Sequence, residues 1–220
     1  MQQVAARVEF VYGYSYAQAL APCFGLNWPL LAHGFVWQPV TYMFLHANAW
    51  HLGLNLVTVL LFGSALEGEV GGGRFWRIFL AGGVLGGLGW LLMTALNPYL
   101  PAMPSLTAAL PQALREWLPA SGQAATLDTS MCVGASGGVF ALIGAYAALF
   151  PRRQVYMLLF FVIPLRFRAR SLAWVLGVLT VADAVFLQFQ VAYMAHLAGG
   201  LAGCLYGLRL RRMGFCDLDE

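Results

Sequence analysis

Apolar residues in this chain come in long blocks, separated by shorter stretches where arginine, glycine, proline or acid gather. The blocks run from about His51 to Leu66, Phe75 to Leu96, Gly134 to Phe150, Ser171 to Phe189 and Ala192 to Leu210. At 1.5 Å per residue each comes close to or exceeds the ~30 Å hydrocarbon layer of a bilayer. The pattern predicts an all-α fold, a polytopic membrane helix bundle with five clear transmembrane helices. Between the first two blocks lies a turn rich in glycine and acid, EGEVGGGR. A sixth apolar stretch, Val155 to Ile163, is too short to cross, so it is expected to lie at the interface or to extend the preceding helix. Residues 97–131 are more polar and hold Pro98, Pro101, Pro104, Pro111 and Pro119, with one amphipathic turn around Ala108 to Leu118. Residues 1–50 are mixed. Aromatics and prolines between Ala21 and Trp50 predict a semi-buried interfacial segment with short helical pieces.

Composition agrees with lipid as the solvent. Hydrophobic residues make up 60% of the 220 positions, charged residues only 10%, and mean hydropathy is +0.72. A soluble domain carries about 25% charged residues. The chain is read as an N-terminal interfacial segment and outer loop (1–50), a membrane core (51–213) and a tail (214–220). All twelve basic residues are arginines, and ten of them fall at 74–77, 152–170 and 209–212. They recur between apolar blocks, which is a topology signal and not a nucleic-acid patch. With those loops cytoplasmic, the C-terminus is cytoplasmic too, and His51, Ser136 and His196 fall near the outer ends of three different helices. Arginine bias and the lack of a cleavable signal pattern lead us to expect an integral protein of a bacterial inner membrane, with an organelle membrane as the alternative. The four cysteines, at 23, 132, 204 and 216, form no metal-binding or disulfide pattern.

The candidate chemistry sits at those outer ends. Ser136 lies in Gly134-Ala135-Ser136-Gly137-Gly138 at the start of a helix. Small neighbours let a substrate backbone approach, and a helix N-terminus offers N–H groups to an oxyanion. A glycine-rich packing site with an incidental serine would look the same. His196 lies inside an apolar helix, where an ionisable side chain needs a role or a partner. Gly199 and Gly203 follow it at small-xxx-small spacing, and the helix bearing Gly134, Gly137 and Gly138 is the obvious neighbour. Serine needs a base to become a nucleophile, and His196 would supply it, although a histidine bonded to a carbonyl is the plainer alternative. His51 and Asn55, four residues apart, share a helix face, and both can donate hydrogen bonds. Three histidines, His46, His51 and His196, could in principle ligate zinc, but no acid accompanies them and HExxH is absent. Asp183 is the one acid inside a predicted membrane helix and receives no catalytic assignment.

Taken together these residues resemble the rhomboid family of intramembrane serine proteases, from about Phe24 to Met213. The resemblance rests on FLHANAWHLGLNL, LFGSALE, GASGGVFALIGAY and AHLAGGLAG, in that order. It implies a catalytic dyad of Ser136 and His196 with no essential aspartate, oxyanion donors at His51 and Asn55 and the backbone N–H of Ser136, and a structural part for His46. Gly134, Gly137 and Gly199 would support the site. It also implies cleavage of single-pass membrane proteins within or beside their transmembrane helix, with no cofactor and no metal. Partners would be transmembrane substrates and the bilayer, and no nucleic acid. Two departures stand out: Trp37-Gln38 where many members carry Trp-Arg, and a family first helix that is weak, at residues 4–24, or missing. A non-cleaving relative that only holds membrane helices, and a small transporter using His and Asp183, are the competing classes. The former typically loses the serine or histidine. The latter would require paired half-helices that are absent here.

Overall fold

The computed structural model describes residues 23–96, 131–159, 163–182 and 192–215. Most of the 97–131 loop and of the weak first helix expected at residues 4–24, together with Asp183 and the extreme C-terminus, lies outside the described residues.

Two short helices open the described chain. In α1, Trp28–Ala32, Asn27 caps the N-terminus, its side-chain oxygen accepting from the Leu30 N–H at 3.2 Å, and Pro29 occupies the first turn. A single turn, α2 (Gln38–Thr41), runs into a 3₁₀ turn over Tyr42–Phe44. Asn48 then caps α3, accepting from the His51 N–H at 2.9 Å. This helix extends over Ala49–Val70 and widens to a π turn at Val59–Gly63.

The eight-residue turn expected at EGEVGGGR is a correction. The α3 helix continues through Val70, and Gly71 alone breaks it before α4, Gly72–Leu96. Gly71 has φ +81°, a value that favours glycine, and its carbonyl accepts from the N–H groups of Arg74 and Phe75 at 3.1 Å. Helix α5 spans Ser136–Leu149 and is buried along almost its whole length. The arginine-bearing stretch that follows is the second correction. It does not extend α5. Strands β1 (Gln154–Leu159) and β2 (Ile163–Arg168) form an antiparallel hairpin, in register from Gln154↔Arg168 to Leu159↔Ile163. Helices α6 (Ala169–Ala182) and α7 (Tyr193–Arg212) complete the described fold.

Of the five expected membrane helices, two, Ala49–Val70 and Gly72–Leu96, are both long and apolar enough to cross. Helices α5 and α6 are apolar but have 14 described residues each, ~21 Å of rise. Large apolar side chains face outward from the bundle. Leu60 is 68% exposed, Trp174 73% and Leu201 61%, an arrangement water would penalise and lipid does not.

Lipid tails are as apolar as leucine, so burial of apolar area does not pull helices together inside a bilayer. Close packing does. The glycines show how close. On α7, a Cβ at Gly199 would strike the Gly137 carbonyl, one at Gly203 the Ala141 carbonyl, and one at Gly207 would lie 2.7 Å from the Ala145 carbonyl. The four-residue spacing on both helices makes a ladder of backbone contacts between α5 and α7. Helix α4 presents two glycine faces. Gly86 meets the Ala195 carbonyl (2.7 Å) and Gly137 (3.2 Å), and Gly89 meets Ala198 (2.6 Å). Gly83 meets Met43, and Gly87 meets Leu26 and Tyr42. Glycine costs a helix about 1 kcal/mol relative to alanine, and here no larger residue fits.

Gly203→Ala is therefore expected to overpack the α5–α7 seam at a cost of ~1–3 kcal/mol and to lower the thermal midpoint of detergent-solubilised protein. Gly177→Ala, with nothing within 4 Å of the added carbon, is the control and should hold or raise the midpoint. Equal midpoints for the two variants would refute the ladder.

Candidate active site

The α5–α7 ladder sets the relative height of two polar side chains. Ser136 is the first residue of α5, and His196 lies in the first turn of α7, one residue after Ala195, whose carbonyl touches both α4 and α5. The His196 Nε2 and Ser136 Oγ are 2.8 Å apart, a hydrogen bond of ordinary length. The His196 imidazole also lies flat on the Phe140 ring, with centroids 4.3 Å apart and planes 3° from parallel. Phe140 is four residues after Ser136, so it stands one turn along the same face of α5. One helix thus supplies both the hydroxyl and the surface that fixes the imidazole plane.

The segment leading into Ser136 is tied down at two points. Leu26 and Cys132 exchange both backbone N–H···O bonds at 2.9 Å. The Gly134 N–H donates to the Tyr42 carbonyl at 2.9 Å, while the Tyr42 hydroxyl donates to the Gly83 carbonyl at 2.6 Å. The described part of the N-terminal region is therefore the mount for the serine loop. Gly134 has φ +126°, and a Cβ there would lie 2.6 Å from Cε1 of His51. Conformation and contact both demand glycine at this position.

His51 fills that space against Gly134, and His46 meets it edge-on, with centroids 5.1 Å apart and planes at 74°. Asn55, one turn further along α3, is only 7% exposed. Among the described residues, the buried side-chain polar atoms without a hydrogen-bond partner are Gln38 Nε2, His46 Nε2 and Asn55 Nδ2. An unmatched buried donor costs about 1–3 kcal/mol, so folds rarely leave one without a use.

The structure thus brings Ser136 and His196 into contact, sets Gly137 against Gly199, and seats His51 on Gly134 with His46 behind it. Among the described residues no three His, Cys, Asp or Glu side chains form a group fit for a metal ion. The described carboxylates are Glu67 and Glu69. Glu67 is sixteen residues along α3 from His51, ~24 Å at helical rise. Sequence reasoning missed Phe140 and Tyr42. The i, i+4 spacing from Ser136 could have flagged Phe140. Nothing in the local sequence marks Tyr42, whose role is set by partners 41 and 92 residues away.

A hydroxyl hydrogen-bonded to an imidazole, at the start of a buried helix in an apolar bundle, defines a serine–histidine site inside a membrane protein. The family model described as "Rhomboid domain" matches residues 33–213, and the chain belongs to the rhomboid family. It is 27% identical over 169 residues to Rhomboid protein 1, mitochondrial, of Saccharomyces cerevisiae, covering 74% of this chain and 39% of that protein. It is 33% identical over 113 residues to Rhomboid-related protein 3 of Homo sapiens, covering 51% and 20%. To Rhomboid-related protein 1 of Caenorhabditis elegans it is 28% identical over 180 residues, covering 79% and 40%. The chain thus spans between a fifth and two fifths of the length of these relatives. Family membership and the outward apolar helices make it an integral membrane protein.

His46 lies in the loop ahead of α3. Burial first, and the neighbouring His51 second, pull its pKa from 6.5 to about 4. Between those values the unfolded chain binds a proton that the folded chain does not. Its contribution is therefore intact above about pH 6.5 and lost as the pH falls toward 4. The thermal midpoint should drop between about pH 7 and pH 4.5, and His46→Phe, which keeps a ring against His51, should make the drop shallower. An unchanged slope would rule out His46 as a contributor.

Proposed function

We propose that this protein is an intramembrane serine endopeptidase that cleaves single-pass membrane proteins in or beside their transmembrane helix, by a dyad of Ser136 and His196. The observation that carries the reading is the 2.8 Å bond between Nε2 of His196 and Oγ of Ser136. With neutral imidazole, Nε2 accepts the serine proton as Oγ attacks the scissile carbonyl. The resulting oxyanion is met by the Ser136 N–H, one of the free donors of the first turn of α5, by Asn55 Nδ2 and by His51. His196 returns the proton to the leaving amine, leaving an acyl-serine. A water, deprotonated by His196, then attacks the acyl carbon and frees Ser136.

The depth of the site suits a transmembrane substrate. Counted from its arginine-bearing end, α5 rises ~21 Å, which leaves Ser136 below the opposite face of a ~30 Å hydrocarbon layer. By the positive-inside rule the arginine end is cytoplasmic, and the dyad opens toward the other side. A locally unstable substrate helix would expose its backbone at that depth.

A fluorophosphonate probe should label detergent-solubilised protein, and labelling should vanish in both Ser136→Ala and His196→Ala. Asn55→Ala should fold and lose about 10²–10³ in kcat on a transmembrane substrate, the usual cost of one oxyanion donor. Labelling that survives Ser136→Ala, or a parent protein that never labels, would overturn the proposal.

A further inference from the structure

The β1–β2 hairpin has two unlike faces. Val155 is buried, and Phe167, its direct cross-strand partner, packs against the core. The alternate positions, Gln154, Tyr156, Arg166 and Arg168, are all exposed, paired as Gln154↔Arg168 and Tyr156↔Arg166. On that outer face the Arg166 guanidinium bonds the Gln154 side chain and lies 5.6 Å from the Tyr156 ring centroid. Arg170, just beyond β2, is exposed as well.

Contacts at one end of the bundle locate the base of the hairpin and the ends of its neighbouring helices. Arg153 pairs with Glu69 near the end of α3 and stacks over Phe150 at 4.1 Å. Arg74, at the start of α4, stacks on Phe215 just past α7 at 4.3 Å. Arginines of the hairpin therefore share one end of the bundle with Arg74, Arg77, Arg209 and Arg212, all exposed. Both strands become wholly apolar in sequence away from this base, as Met157-Leu158-Leu159 and Ile163-Pro164-Leu165. An arginine-and-tyrosine base that leads into an apolar stretch is the profile of a membrane interface: phosphate-seeking charge beside lipid-seeking carbon. A nucleic acid or an acidic protein would account for the arginines and not for the apolar continuation.

We propose that the outer face of this hairpin binds the headgroups of anionic phospholipids, with Arg166 and Arg168 as the principal contacts. Arginine suits the task because its fork can hold a phosphate bidentately. The inference rests on the protein being integral to a membrane and not on its being a protease.

The test uses the full chain, reconstituted in vesicles of phosphatidylcholine with roughly one third phosphatidylglycerol, then extracted for native mass spectrometry. The parent should retain phosphatidylglycerol in preference to phosphatidylcholine, and raised salt should reduce that preference. Each basic group near an anionic surface is worth about a factor of five, so R166Q/R168Q should lower retention about 25-fold. Both positions are exposed, and an unchanged thermal midpoint in detergent would show that the fold is intact. R209Q/R212Q, at the same end but off the hairpin, should retain most of the lipid. Equal retention by parent and R166Q/R168Q, or no preference for the anionic lipid, would overturn the assignment. Displacement of the bound species by inorganic phosphate alone would do the same, since it would make the ligand a free anion.

Discussion

The approach of α5 to α7 at backbone distance is the constraint on which the site depends. Gly199, Gly203 and Gly207 meet Gly137, Ala141 and Ala145 in order, and no contact in that series leaves room for a β-carbon. A helix pair held through long side chains can slide by a rotamer. One held through main-chain atoms cannot, because neighbouring carbonyls and α-carbons interlock. The 2.8 Å separation of Ser136 and His196 is inherited from that register, since each residue lies within three positions of the first rung. Helix α4 closes the third side through Gly86, which touches both partners at the rung nearest the dyad.

A second constraint acts on the serine alone. The main chain before α5 would be free to shift if only the helix held it. The paired bonds between Leu26 and Cys132, and the bond from Gly134 to Tyr42, fix it to the N-terminal segment. Tyr42 is in turn held to α4 through the Gly83 carbonyl. Two short helices, α1 and α2, that bury little and cross nothing thus serve to set the height of Ser136. His51 adds a lateral stop by occupying the space at Gly134 that any other residue would fill.

How much of this was legible in the sequence follows from the range of the interactions. Helices α4, α5 and α7 start and end within a few residues of where apolar blocks and arginines put them, because lipid solvation is a local requirement on each block. The contact between Ser136 and His196 was legible for the same reason: an ionisable group in an apolar helix needs a partner, and the block opening Gly134-Ala135-Ser136-Gly137-Gly138 offered a hydroxyl among small residues. The hairpin was not. Val155 to Ile163 is continuously apolar, and such a run hides the two-residue alternation that distinguishes strand from helix. Only once β1 and β2 pair does the exposed set Gln154, Tyr156, Arg166 and Arg168 emerge. Gly71 was obscured by its glycine neighbours. Four glycines in EGEVGGGR read as an open turn, yet only Gly71 takes a positive φ, and the others are helical. The mount at Tyr42 depends on contacts so distant in sequence that no local pattern could encode it.

The surroundings of the His196 ring are physically informative. In a three-member catalytic site an acid orients the imidazole and stabilises it once charged. No described acid is near His196; the described ones lie at the far end of α3. Phe140 serves orientation, since a ring stacked at 4.3 Å and 3° fixes the imidazole plane without adding a charge. A buried carboxylate inside an apolar bundle would itself require stabilisation of several kcal/mol, which is hard to supply where helices meet through glycine and no side chains are left to pair with it. Asn55 Nδ2, a buried donor without a partner among the described residues, belongs to a neutral amide, so its burial asks the apolar bundle to accommodate no charge.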